Sequence, residues 1–295
     1  MNERIRNVKP RFYIGLAILL AETVTVPLVL NPFREQFGLW TTLGVQMIVL
    51  AFGVLPPIIF KWDLREVFPF KRPMIRQIFG IIILWFSQLY LGILVNNILN
   101  YFFPQISGGI QEIRNLSLSI PLIATFIIMV IMPPVCEELL HRGTIRYTFI
   151  GVKNKWIKIA ALGLIFGVFH MNLSQFAPTT IVGMFAAYII IDTENLFLTM
   201  LLHIMQNSLS FCVDILKAAS GPAAPVQNSQ AAPMIGNFLV LCTIIPFLIV
   251  WGSKLLHSKE YNREHKLGKR AKWFAAISAA FCFIAGACIT IFTSV

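Results

Sequence analysis

Apolar residues come in long blocks along this chain rather than in alternating or striped patterns. The blocks are Phe12–Leu30, Leu39–Phe60, Ile78–Ile98, Ile120–Leu140, Trp156–His170, Thr180–Ile191, Leu196–Ile215, Ile235–Trp251 and Trp273–Phe292. A helix of about 20 apolar residues crosses the bilayer core. The fifth and sixth blocks are short, and read as two short crossings or one broken hairpin. Strands of a membrane barrel would show segments of about 10 residues with alternating polarity, and none is present. In lipid the backbone must satisfy its own polar groups, which leaves helices. The pattern predicts an all-α fold: a polytopic transmembrane helical bundle of about eight or nine spans, with any active site inside the bundle.

Composition narrows the alternatives. The 295 residues are 57% hydrophobic and 13% charged, with a mean hydropathy of +0.75. Soluble domains carry about 45–50% apolar and about 25% charged residues. One soluble core cannot hide this much apolar surface, and disorder needs the opposite balance. The five cysteines, Cys136, Cys212, Cys242, Cys282 and Cys288, lie in apolar runs with no CxxC pair. They read as small buried hydrophobes.

The net charge of +11 raises nucleic acid as a partner, but no basic domain exists. The cations stand in short blocks between spans. Arg4, Arg6, Lys9 and Arg11 precede the first span, Lys61 to Arg76 follow the second, Arg142 to Lys158 follow the fourth, and Lys254 to Lys272 follow the eighth. Asn31–Gly38, Pro104–Ser119 and Lys217–Met234 are poor in cations. The positive-inside rule then places the N-terminus in the cytoplasm of a multi-pass cell-membrane protein. The first span is of transmembrane length without an A-x-A site, so it is not a cleavable signal peptide. Three regions are expected: N-terminal helices over 1–118, a core over 119–216, and over 217–295 an external loop, two C-terminal helices and a basic cytoplasmic loop. The Ala-, Pro- and Ser-rich stretch Lys217–Met234 reads as that flexible external loop.

Ionisable groups inside spanning helices cost about 2.5–3.5 kcal/mol each on insertion scales and mark function. Here they are Glu22, then Glu137, Glu138, His141 and Arg142, then His170, and His203 with the polar Asn207. Residues four apart share a helix face, so Glu138 pairs with Arg142. Glu137 points elsewhere, stacks with His141, and needs a partner from another helix. Gly163 and Gly167 form a small-residue seam next to His170 that lets another helix approach. The midpoint of Glu137 and His170 falls in the basic turn at Lys153–Lys155, so an antiparallel hairpin brings them to equal depth. His203 lies about 15 Å beyond the turn at Thr193–Glu194, at ~1.5 Å per residue. One buried layer can hold Glu137, His170, His203 and Asn207. A carboxylate beside a histidine takes a proton from water, and a second histidine with an amide can stabilise an oxyanion. That equipment suits peptide hydrolysis without a covalent intermediate. The same Glu137, His170 and His203 could ligate zinc, although His-Glu-x-x-His is absent.

Three stretches, Glu137-Glu138-Leu-Leu-His-Arg142, Phe166-Gly-Val-Phe-His170 and His203-Ile-Met-Gln-Asn207, resemble the E-E-x-x-x-R, F-x-x-x-H and H-x-x-x-N motifs of the CPBP family. These are the CaaX-protease and bacteriocin-processing (Abi) intramembrane proteases, or type II CaaX endopeptidases. Thr193-Glu-Asn-Leu196 also resembles the family's approach to its third motif. The resemblance covers roughly Ile120–Ile215. It implies that Glu137 and His170 activate water, that His203 and Asn207 stabilise the oxyanion, and that Glu138 and Arg142 support the site. His141 departs from it, standing where the family usually has an aromatic residue.

The function expected is therefore an intramembrane endopeptidase acting on a membrane-associated peptide or protein, of CaaX type or in bacteriocin processing. No cofactor is expected, with Zn2+ the alternative and membrane lipid the surroundings. A non-catalytic immunity or scaffolding protein of the same family is the competing reading. A proton-coupled transporter using Glu22 is a third, without an inverted repeat to support it. Counting from the basic turn puts Glu137 about 10–15 Å below the cytoplasmic surface. The site is expected to open there, with a side entrance between the fifth and sixth spans.

Overall fold

The computed structural model of the chain describes residues 11–103, 120–219, 228–258 and 269–293, and among these no strand occurs. The helices are α1 (Phe12–Leu30), α2 (Trp40–Ile59), α3 (Ile75–Phe102), α4 (Leu122–Thr148), α5 (Lys155–Phe169), α6 (Leu173–Thr193), α7 (Leu196–Ala219), α8 (Asn228–Leu241), α9 (Ile245–Leu256) and α10 (Lys269–Thr293). A turn of 3₁₀-helix, Cys242–Ile244, joins α8 to α9. Eight helical stretches among the described residues are long and apolar enough to cross a membrane, α8 and α9 counting as the one span Met234–Leu256. The chain is a multi-pass membrane protein.

Helix α5 is short for a single crossing. Its 15 residues reach about 22 Å, less than the ~30 Å hydrocarbon core. Its start is fixed by Asn154, whose Oδ1 accepts from the backbone N–H of Trp156 (2.9 Å) and Ile157 (3.2 Å). Asn172 opens α6 in the same way, accepting from Ser174 N–H at 3.0 Å. Such caps satisfy the unpaired first N–H groups of a helix. Helix α6 closes at Glu194, which is left-handed at φ 47°. The expected sixth span, Thr180–Ile191, is thus one end of a longer helix. The fourth runs past Leu140 to Thr148. Part of the expected loop Lys217–Met234 is helical, since α7 ends at Ala219 and α8 begins at Asn228; residues 220–227 lie outside the described ones.

The surface has the character lipid requires. Leu16, Leu20, Val24 and Leu28, four apart along α1, are 52%, 58%, 62% and 74% exposed. Inside, small residues set the spacing. A Cβ on Gly183 of α6 would lie 3.0 Å from the backbone of Gly163 on α5. The expected Gly163–Gly167 seam is real, and it leaves no side entrance between these two helices.

Helix ends cluster at two levels. At one, Arg11 N–H donates to Thr148 O (3.1 Å), Asn195 Nδ2 to Lys71 O (2.9 Å) and Gln77 Nε2 to Leu256 O (3.0 Å). Lys155 and His257 both pair with Asp192. The basic blocks stand here, so we refer to it as the basic end. The turn between α1 and α2, the end of α3, the start of α4, the α5–α6 turn and the end of α7 lie at the opposite end.

Candidate functional site

Helix α4 is irregular where it matters. Two stretches of π-helix, Ile127–Ile131 and Leu139–Ile145, bracket a short α-helical stretch, Met132–Glu138. π-Turns within α-helices often mark functional sites. Pro133 lacks an N–H, so the carbonyl of Met129, four residues earlier, loses its helical donor. That carbonyl receives the side chain of Asn207 instead, with Nδ2 donating at 3.2 Å. The proline pair thus prepares a docking point for α7.

Glu138 and Arg142 form the expected pair, Nη1 to Oε1 at 2.9 Å, each side chain 1% exposed. Arg142 Nη2 also donates to Gly183 O (3.2 Å), and its guanidinium lies 4.2 Å from the Phe166 ring centre. A buried guanidinium needs such partners, because an unpaired buried charge is strongly unfavourable. The close approach of α5 and α6 at Gly163 and Gly183 supplies two of them.

Glu137, also buried, is held differently. Gln46 of α2 donates from Nε2 to Glu137 Oε1 at 3.3 Å. Oε2 has no hydrogen-bond partner and lies 4.0 Å from His203 Nε2. The other nitrogen of His203, Nδ1, is 3.0 Å from Glu138 Oε1. A carboxylate oxygen only accepts, so Nδ1 carries a proton in this arrangement and Nε2 faces Glu137. His203 therefore bridges the two carboxylates. Glu22 of α1 is buried and near enough to interact electrostatically with Glu137.

His170 does not contact Glu137. Its Nδ1 sits 2.9 Å from the Phe166 carbonyl of its own helix. With Nδ1–H donated there, Nε2 is the ring's acceptor. His170 and Asn207 line a cavity of about 470 Å³ that also touches Gln46, Pro133 and Met129. The four predicted residues therefore meet in one region, though not as two matched pairs. Glu137 pairs with Gln46 and His203, while His170 and Asn207 form part of the wall.

His141 does not stack with Glu137. The wider π-turn that starts at Leu139 breaks the α-helical spacing on which that expectation rests. Instead the ring packs edge-on against Phe169 (4.5 Å between centres) and Phe166 (5.0 Å), with both nitrogens buried and without partners. Phe166 also meets the rings of His170 (4.9 Å) and His203 (5.7 Å). Three histidines and an arginine gather around this one phenylalanine. Gln46 is the residue that sequence reasoning missed, since a lone amide in a span carries no spacing signal.

Among the described residues no three His, Cys, Asp or Glu side chains form a group able to hold a metal ion. The Nδ1 atoms of His170 and His203 are turned to Phe166 O and Glu138, which leaves the Nε2 atoms as the ring nitrogens directed elsewhere.

The cavity lies away from the basic blocks. Its walls come from the parts of α2, α3, α4, α6 and α7 remote from the basic end. On the basic side, Gly143 is covered by Phe68, which a Cβ at that glycine would approach to 2.5 Å. Arg146 ties α4 to Glu66 O (2.7 Å) and Val67 O (3.2 Å). Among the described residues, the cavity's lining includes none of these basic-end groups.

Residues 119–209 match the family model described as type II CAAX prenyl endopeptidase Rce1-like. The matched stretch spans all three motifs. No curated protein and no solved structure matched the chain.

Proposed function

We propose that this chain, with its match to the CaaX-endopeptidase family model at residues 119–209, is an intramembrane endopeptidase. In this reading it hydrolyses a membrane-associated peptide or protein with a water activated by Glu137. The observation that carries the reading is the unpartnered Oε2 of Glu137, facing His203 Nε2 across 4.0 Å beside a cavity lined by His170 and Asn207. A gap of that width is spanned by one water hydrogen-bonded to both groups.

The steps follow from the contacts. Gln46 orients the Glu137 carboxylate. Glu137 takes a proton from the water as its oxygen bonds to the scissile carbonyl carbon. Asn207 has two N–H donors on Nδ2; one goes to Met129 O and the other serves the oxyanion. His203 holds its Nδ1 proton against Glu138, and Arg142 keeps Glu138 ionised. The Nε2 of His203 faces Glu137 Oε2 and accepts from the water held between them. Collapse breaks the C–N bond, and the proton on Glu137 passes to the leaving amine. The Nε2 of His170 orients the water or the amine as an acceptor. The steps proposed here use no metal.

The cation-rich end is assigned to the cytoplasm, with the N-terminus there and the chain in the cell membrane. The test is cleavage by the purified protein of a panel of tagged membrane peptides, read by mass spectrometry. A new C-terminus appearing with wild-type protein supports the reading. Stable binding of peptides without any cleavage would favour the scaffolding alternative.

A further inference from the structure

From the position of the cavity relative to the charges, we infer that substrate enters from the non-cytoplasmic face. The segment cut is then a stretch of polypeptide exposed on that face, not one presented from the cytosol. The inference rests on the endopeptidase reading for what happens at Glu137, but the route stands on separate observations.

The first is charge. Of the 24 lysines and arginines, all but Arg34, Arg114, Lys217 and the buried Arg142 belong to blocks that flank spans on one side. The described members of those blocks meet at the basic end, where Arg146, Lys71 and Lys155 tie neighbouring helices together. Such asymmetry fixes the cytoplasmic side.

The second is the depth gradient of the cavity. Gln46 and Pro133, next to Glu137, are buried, Gln206 and Asn207 are half-buried, and Ser210 is exposed. From His203 to Ser210 helix α7 runs away from the basic end, so exposure rises towards the opposite face. Thr42, two residues inside the start of α2, lies on the same wall and marks the same face.

The third is closure on the cytoplasmic side. Phe68 sits on Gly143, Arg146 is bonded to the 66–67 backbone, and α5 and α6 touch at Gly163 and Gly183. Hydroxyls and amides of Thr42, Thr179, Gln206 and Ser210, with the carboxylate of Asp214, line the cavity down to Gln46, the residue bonded to Glu137. Inside a membrane an extended chain needs partners for every backbone N–H and C=O. Such polar groups along the wall can supply them. The volume of about 470 Å³ is that of a ligand pocket, enough for a short extended segment but not a folded domain.

The test uses full-length protein in cell-membrane vesicles of known orientation. Cys212, Cys282 and Cys288 are replaced by serine, and the buried Cys136 and Cys242 are kept, so that the core is undisturbed. Ser210→Cys and Thr42→Cys probe the mouth, and Lys153→Cys probes the basic end. A membrane-impermeant thiol reagent should label Ser210→Cys and Thr42→Cys in right-side-out vesicles and not in inside-out ones. Lys153→Cys should show the opposite pattern. Labelling of both mouth positions only in inside-out vesicles, or in neither preparation, overturns the route. Size-exclusion profiles matching the parent exclude misfolded variants. A correct labelling pattern with an inert Glu137 would defeat the protease reading alone. Cleavage that depends on Glu137, with a mouth reached only from the cytoplasm, would defeat the route alone.

Discussion

Replacing Arg142 with alanine should unfold this protein more readily than almost any other single change. The side chain is 1% exposed and holds Glu138 at 2.9 Å, Gly183 O at 3.2 Å and the Phe166 face at 4.2 Å. Removing one partner of a buried ion pair costs about 3–5 kcal/mol, because the other charge is left uncompensated. A desolvated cation–π contact alone is worth about 2 kcal/mol. A hydrogen bond to a charged donor is worth about 1.5–3 kcal/mol. These overlap, since all belong to one guanidinium, so about 3–5 kcal/mol is the figure for the variant. Glu138→Leu with Arg142→Met removes both charges, strands the Nδ1 proton of His203 at about 1–3 kcal/mol, and takes the side-chain donor from Gly183 O. The double variant should therefore be more stable than Arg142→Ala. The assay is reversible unfolding in mixed micelles by a denaturing detergent, followed by tryptophan fluorescence. Arg142→Ala within about 1 kcal/mol of wild type, or single effects that simply add in the double variant, would refute the reasoning.

Gln46→Leu removes a buried donor to Glu137 Oε1; cleavage by the folded variant should fall roughly 10- to 100-fold with some loss of stability, as expected for a bond to a charged group, and undiminished turnover would remove Gln46 from the site. His141→Phe replaces a buried ring with two unpartnered nitrogens by an apolar one in an aromatic niche; stability should hold or rise and cleavage persist, whereas loss of cleavage in the folded variant would give His141 a chemical role. Strong chelators should leave activity intact, and purified protein should lack stoichiometric zinc; activity lost with EDTA and restored by zinc would overturn the metal-free mechanism.

Much of the architecture was legible because the membrane enforces it. Phe12–Leu30 is the helix that hydropathy marks, since lipid faces α1 along Leu16, Leu20, Val24 and Leu28. Helix α6 was trimmed because Ser174, Gln175 and Thr179 lower the hydropathy of its first turns, and those residues line the cavity. The Glu138–Arg142 pair followed from spacing alone. The partners of Glu137 did not, because Gln46 comes from a helix 91 positions away. The π-turns also escaped notice, and they carry His141 into the aromatic niche of Phe166 and Phe169. The direction in which the cavity faces does not follow from spacing either. Depth counted along α4 says how far Glu137 is from the basic end, and nothing about whether Phe68 and Arg146 close that end.

The most direct measurement compares wild type with Glu137→Gln for cleavage of one identified peptide in one lipid preparation, with unfolding followed on the same samples. Glutamine keeps the shape and the contact with Gln46 while removing the base. A general base contributes about 10²- to 10⁴-fold, so the rate should fall at least a hundredfold with unfolding unchanged. Cleavage by folded Glu137→Gln at near the wild-type rate would contradict the claim that Glu137 activates the water.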